Sequence, residues 1–350
     1  MRGDAPRAGN VGPAPEVGRT PDHGLLPDGG LAQDIVLAQD VGLSRNVRAI
    51  QVLSRDLLTR APGERIPTAV QYQQLTGVGS GTVQKALRTL QGVGAVRLQP
   101  RGHTGTYLVD VDLSQLWAVA ALGAPTAVLP LATSPELMGL AMALRTEFKR
   151  LRIPLQVLYT YGSRRRVELV EQGEADFTVL SSAAARDLGD RDGSWRTVPL
   201  DPTRYYYEDS WFVLVRPGLD PAATDAVHTV GIDRSSHDHT VITQAEFPED
   251  LGYTYVDGHF PFMTERLVLG EIDAVVWHQS SLAIPLTAVG IRPGLLRRAA
   301  TVEAVARMGT ADIVMRASRA ELGRLFDLLD PQALAGVQAK VLTQEVLPYY

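Results

Sequence analysis

The sequence predicts an α/β protein with a winged helix-turn-helix near its N-terminal end and a larger C-terminal domain of two α/β lobes. Three observations predict it. Between positions 45 and 110 the apolar periodicity is that of three short helices and a hairpin, beyond Asp112 it alternates between strand and helix, and that alternation occurs as two similar blocks. At 350 residues, 45% of them hydrophobic, the chain has apolar material for more than one domain. It has no cysteine, which excludes disulfides, thiolate metal sites and thiol nucleophiles.

Residues 1–44 are rich in Gly, Pro, Ala and Asp without a sustained apolar period, and read as a disordered leader in which Arg2-Gly3-Asp4 carries no meaning. The winged helix is assigned to 45–112. Across 45–60, Val47, Ile50, Leu53, Leu57 and Leu58 recur at steps of three and four, one face of an amphipathic helix that Pro62-Gly63 stops. Thr68 is the expected N-cap of a short helix through Leu75, and Gly77 breaks it. A third helix, about 79–91, turns Val83, Ala86, Leu87 and Leu90 inward and Ser80, Thr82, Gln84, Lys85 and Arg88 mostly outward. Segments 95–98 and 106–109 then alternate as a β-hairpin around the basic tip Pro100-Arg101-Gly102-His103-Thr104-Gly105.

Residues 113–350 form the expected two-lobed domain. The first block reads strand 127–131, helix to about 151, strand 155–159, helix through 171, strand 177–180. The second reads strand 229–233, helix, strand 253–256, helix from about 262, strand 274–277. This grammar predicts mostly parallel sheets. Two lobes, the second at about 216–280, imply a cleft between them. The chain is expected to cross near 207–215 and again near 280–303, which makes those segments hinge candidates.

The formal net charge is −5, yet positions 45–110 hold nine cations against Asp56, Glu64 and Asp110, a local excess of six positive charges. Small or polar residues at the start of a recognition helix let side chains reach base edges, a task that suits Ser80, Thr82 and Gln84. Lys85, Arg88, Arg97 and Arg101 would neutralise phosphates, and His103 at the wing tip would touch the backbone or the minor groove of double-stranded DNA. The steps Pro67-Thr68, Gly77-Val78, Thr82-Val83, Ala86-Leu87 and Leu90 resemble the GntR-type winged helix-turn-helix. Val70, Ser80 and Gln84 stand where that family usually has arginines, so its operator is not carried over. Taken with the wing Gly102-His103-Thr104-Gly105-Thr106-Tyr107-Leu108 and the second domain, residues 45–350 resemble YhfZ-type regulators. That resemblance implies a DNA-binding transcriptional regulator, not an enzyme, controlled by a small polar ligand.

In the second domain, polar residues gather where strands give way to helices: Thr133 and Ser134 before Pro135, Tyr161, Gly162 and Ser163, Ser181 and Ser182, and Asp233 with Ser235, Ser236 and His237. Helix starts expose backbone N–H groups that suit an anion, and these four turns could face one cleft. Val167–Phe177 and Leu269–Val276 each run helix, Gly, acidic residue, strand, and resemble the repeated unit of type 2 periplasmic-binding-protein folds. That resemblance places the ligand at the carboxyl ends of the strands, where open α/β sheets bind. The serines and one of Arg164, Arg165 and Arg166 suit an anion, whereas Asp209, Asp233, Asp238 and nearby Glu208 suit an ammonium or hydroxyl group, so anionic and zwitterionic effectors both stay open. Tyr205-Tyr206-Tyr207 and Trp211 read as core and interlobe packing.

His237, Asp238, His239, His259 and His278 raise a metal or acid–base alternative. There is no HExxH, and a helix would set His237 and His239 about 200° apart, so no metal is expected. No P-loop, GxSxG or GxGxxG is present, and no cofactor is expected. The alternative function is a binding-protein-fold enzyme acting on a small polar metabolite, with the winged helix as a docking module. No stretch has the apolar length of a signal peptide core or a membrane span, so a cytoplasmic protein is expected, acting as a homodimer on a palindromic site.

Overall fold

The computed structural model describes residues 44–189, 193–279 and 285–349. The leader expected over 1–44 lies outside these, except for Ser44. That serine caps α1 (Arg45–Leu58), its Oγ accepting from the Val47 N–H at 3.3 Å. Thr68 caps α2 (Ala69–Thr76) and forms a capping box with Gln71. After α3 (Ser80–Gly92), β1 (Val96–Pro100) and β2 (Thr106–Val111) pair antiparallel as the wing. The helices are held by polar as well as apolar contacts. Arg60 clasps Asp56 with two hydrogen bonds, and the Tyr72 hydroxyl donates to Asp56 at 2.7 Å. Burial, then the Asp56 contact, pushes the Tyr72 phenol well above its ordinary range.

A helix that the sequence reading lacked, α4 (Leu113–Val119), follows the wing and starts on an Asp112 cap. It buries Leu116 and Trp117 against α1. The helix-turn-helix therefore has no clean boundary at 112. Its core residues, among them Leu53, Leu57, Val83 and Leu90, belong to the same apolar cluster as Phe148, Phe177 and Phe326 of the first lobe. Arg152 reaches back to Asp112 at 2.9 Å.

The first lobe contains β3 (Thr126–Leu129), α5 (Pro135–Arg150), β4 (Gln156–Tyr159), α6 (Ser163–Glu171), β5 (Phe177–Ser181), α7 (Ser182–Gly189) and β6 (Trp195–Arg204). The second contains β7 (Trp211–Val215), β8 (Thr229–Ile232), α8 (His237–Glu246), β9 (Thr254–Asp257), α9 (Met263–Val268), β10 (Ala274–His278), β11 (Arg292–Gly294) and α10 (Ala299–Ala306). The chain then returns to the first lobe with β12 (Thr310–Arg316), α11 (Ala320–Phe326) and α12 (Pro331–Leu342).

The sheet orders are β4-β3-β5-β12-β6 and β9-β8-β10-β7-β11, the same pattern twice. In each, three neighbouring strands are parallel and the fourth runs against them. The reversed strands, β12 and β7, are each the first strand laid down after a crossing, which is why a reading of local repeats did not place them. The crossings differ from expectation too. Trp211–Val215 is a strand of the second sheet, as is Arg292–Gly294, so the second lobe extends past 216–280 at both ends. The crossings lie at 205–210 and 307–309, where the Tyr205 and Tyr206 N–H groups donate to the Gly309 carbonyl at 2.8 and 3.3 Å.

The repeated acidic signature has a structural reason. Gly173 and Gly270 end α6 and α9 with positive φ of 77° and 70°. Asp176 then accepts from the Thr126 N–H at 2.7 Å, and Asp273 from the Thr229 N–H at 2.9 Å, so each pins the start of the central strand of its lobe's parallel trio, β3 or β8. Burial raises the Asp273 carboxyl, but hydrogen bonds from Thr229, His228 and Arg216 outweigh it and hold the pKa at about 2.

Gln338, on α12, is buried and serves three backbone groups. It accepts from the Arg204 N–H at 2.8 Å and donates to the Arg204 and Glu136 carbonyls at 2.7 and 2.9 Å. Gln338→Leu strands all three and is expected to cost about 3 kcal/mol in denaturant unfolding. A loss below about 0.5 kcal/mol would mean that these bonds do not hold α12 to the crossing.

Candidate functional site

Both sheets end at the same cleft. The carboxyl ends of β3, β4 and β8 lead into α5, α6 and α8, β10 ends at His278, and the cleft is lined from both lobes and from the first crossing. Its free volume is about 100 Å³. The lobes touch across it. The Arg164 N–H donates to the Ser235 carbonyl at 3.0 Å, the His237 N–H to Ser163 Oγ at 2.9 Å, and Ser181 Oγ to Asp238 at 2.7 Å. A Cβ on Gly162 would lie 2.6 Å from Ser235 Oγ, so this approach requires glycine.

Six of the expected ligand residues line the cleft: Thr133, Tyr161, Gly162, Ser163, Asp233 and Ser236. The other six do not. Ser134 is fully buried beneath the start of α5, and Ser181 spends its hydroxyl on Asp238. Ser182 donates to the Arg307 carbonyl, and Ser235 folds back onto Asp233. His237 faces Asp187 in a separate groove, 3.7 Å away, and Asp209 lies exposed in another groove of the second lobe. A strand-to-helix turn presents only some of its side chains to a cleft, and spacing alone does not say which.

Two residues that the sequence offered only among alternatives are buried in the cleft wall. Arg166 and Asp238, from opposite lobes, both line the cleft at 3% and 2% exposure. Arg166 is on the inner face of α6 with Ser163, Leu169 and Val170, whereas Arg164 and Arg165 are exposed. Its Nη2 donates to the Tyr205 hydroxyl at 2.8 Å, and its Nε has no acceptor. Burial raises the Asp238 carboxyl above the ordinary range, against the lowering effects of the Ser181 hydrogen bond and the nearby charge of Arg166. Tyr205, Tyr206 and Trp211, expected as packing, also line the cleft. Tyr206 stacks edge-on against Trp211 and lies against His278. His278 Nε2 lies 2.7 Å from Glu136 Oε1, both buried, with no hydrogen bond between them.

His239 is buried and held on both nitrogens. Nδ1 accepts from the Asp233 N–H at 3.0 Å, and Nε2 lies 3.0 Å from the Val276 carbonyl. Burial dominates and lowers its pKa to about 4. His237 and His239 diverge from α8, and among the described residues no three His, Asp or Glu side chains are grouped to hold a metal ion.

At the other end of the molecule, α3 presents Gln84, Lys85 and Arg88 to solvent, with Ser80 and Thr82 half-buried at its start. No side chain caps this helix and no acidic residue lies on it. In the wing, Arg101 and His103 are exposed, and the Arg101 guanidinium lies 4.5 Å from the Tyr107 ring centre. Arg97 is also exposed but lies 3.7 Å from Asp110, so its charge is partly offset. Among the described residues no helix is long and apolar enough to cross a membrane.

Comparison with known proteins fits this two-part architecture. Residues 112–350 match the YhfZ C-terminal domain, and residues 61–108 match a helix-turn-helix domain. The protein YhfZ of Escherichia coli (strain K12) is 28% identical over 307 residues, which cover 86% of this chain and 96% of that one. The crystal structure of YhfZ from Shigella flexneri superposes with a TM-score of 0.52 at 24% identity, over 68% of this chain and 98% of that one. The VFT2 domain of Bordetella pertussis BvgS gives 0.45 at 15% identity, over 65% and 96%.

The folded-state pKa of His239 lies below its unfolded value near 6.5, so the stability it confers is complete above that pH and is lost as pH falls towards 4. The full effect amounts to about 3 kcal/mol. Thermal melts from pH 7.5 to 4 should show this acid limb, and His239→Gln, which cannot titrate there, should flatten it. Parallel acid limbs in the two proteins would contradict the assignment.

Proposed function

The chain belongs to the YhfZ C-terminal domain family, and from that premise we propose that it is a cytoplasmic DNA-binding transcriptional regulator whose operator affinity is set by a small polar ligand in the interlobe cleft. The observation that carries this reading is α3. Its outer face offers Gln84, Lys85 and Arg88 to solvent without an opposing acid, beside a wing tipped by Arg101 and His103. Gln84 at such a helix reads base edges, with Ser80 and Thr82 close to the groove floor, while Lys85, Arg88, Arg97 and Arg101 hold phosphates.

The winged helix is welded to the first lobe through α1, α4 and the shared core. A homodimer bound to a palindromic site would hold two such units at a fixed separation. Ligand that favours one arrangement of the lobes then shifts that separation, and with it the affinity for DNA.

The test is binding to the DNA upstream of the protein's own coding sequence over a salt series. Log affinity should fall steeply with log salt, by roughly 0.9 per phosphate contacted, and the double variant Lys85→Ala/Arg88→Ala should reduce that slope by about 2. Binding no tighter than to random DNA at low salt would exclude the regulator reading.

A further inference from the structure

Among the described residues, three buried nitrogens on residues that line the cleft, Arg166 Nε, Trp211 Nε1 and His278 Nε2, lack a hydrogen-bond partner, and the first two are donors whatever the protonation state. Arg166 and Trp211 are 3% and 6% exposed, and neither donor finds a partner among the described residues. A buried donor without a partner costs free energy, more when it carries charge, and a ligand acceptor relieves that cost. The other lining groups point to the same chemistry. Ser163 Oγ accepts from the His237 N–H, which leaves its own proton to donate. The sixteen-residue α5 and the nine-residue α6 begin at the cleft without side-chain caps. Their N-terminal dipoles favour negative charge.

We infer that the cleft binds a small carboxylate of amino-acid size, with its anionic head on Arg166 Nε and Trp211 Nε1. This rests on the cleft being the effector site proposed above and names the ligand's class. Size limits the ligand: a free volume of about 100 Å³ admits a few heavy atoms, and Leu131, Leu137 and Phe260 give it an apolar wall. The planar carboxylate fits a guanidinium edge, which a tetrahedral phosphate with a second charge does not improve upon in so small a space. The opposite lobe supplies Asp238, whose buried carboxyl faces the same cleft. An α-amino group on the ligand would meet it there, and a ligand that touches Arg166 on one lobe and Asp238 on the other holds the lobes together.

The probes are glycine, L-alanine, L-serine, acetate, propionate, L-lactate, inorganic phosphate and methylamine, each added to the full-length protein in thermal shift and calorimetric titrations. Saturable stabilisation by at least one of the carboxylates, with none from phosphate or methylamine, is expected. Preference for the amino acids over acetate, propionate and lactate would place the ammonium on Asp238, and the reverse order would place a neutral or protonated Asp238 there, both within the inference. Arg166→Gln should weaken the binding roughly 10- to 100-fold, and Trp211→Phe, which keeps the ring and removes only the N–H, several-fold. Arg166→Lys keeps the charge, so a folded Arg166→Lys protein that still binds weakly separates a lost contact from a lost fold. No response to any carboxylate, or a response unchanged in Trp211→Phe and Arg166→Lys, would overturn the inference. Because the DNA assay is independent of these titrations, loss of one leaves the other standing.

Discussion

The two crossings between the lobes are bonded to each other, and the cleft exists because of it. Tyr205 and Tyr206 give their N–H groups to Gly309, so the outgoing and returning chains form one short waist. Each crossing feeds directly into a reversed strand, β7 or β12, which is threaded into the far sheet beside the parallel trio. The lobes are thereby held at a common edge with the carboxyl ends of their parallel strands facing one another. Gln338 fixes one end of the waist through Arg204, and Tyr205, Tyr206 and Trp211 along it become part of the cleft wall. Two short crossings bonded side by side are the kind of segment about which lobes can hinge.

The charges in the cleft are arranged by burial. Asp233 accepts from the Ser235 N–H and Oγ and from the Phe260 N–H, which consumes it as a structural brace. His239 is kept neutral by its surroundings. Arg166 and Asp238 remain, on opposite lobes, as the pair that a ligand would meet. On the other side of the first lobe, a continuous apolar core with α1 and α4 packs the winged helix onto that lobe. On the proposed function, motion of the second lobe relative to the first would be what couples the cleft to the winged helix.

Much of this was legible in the sequence, for reasons that are local. The three helices, the wing, the six strands of the two blocks and the repeated Gly-acid signature all follow from periodicity and caps within a few residues. The turns that build the cleft were legible too, because strand ends and N-caps announce themselves. Arg166 was within reach: Ser163, Arg166 and Val170 share one face at helical spacing, which would have chosen it over Arg164 and Arg165. What could not be read depends on distant parts of the chain. Nothing local in Trp211–Val215 or Thr310–Arg316 says that each is a reversed strand in a sheet begun elsewhere. Nor does α4 announce that it belongs to the core of the winged helix, since its partners lie on α1 more than 50 positions earlier.

The proposed regulation requires that the relative position of the lobes set DNA affinity. The chain has no cysteine, so a disulfide between Arg164→Cys and Ser235→Cys, positions on opposite lobes joined by the bond from the Arg164 N–H to the Ser235 carbonyl, can be closed and opened by oxidant and reductant. Affinity for the upstream DNA would be measured on the oxidised and reduced forms of the same preparation. Closing the bond is expected to change affinity by about 5-fold or more, the scale of ordinary allosteric coupling. Equal affinity in the two forms, with the cross-link verified by mass, would contradict it.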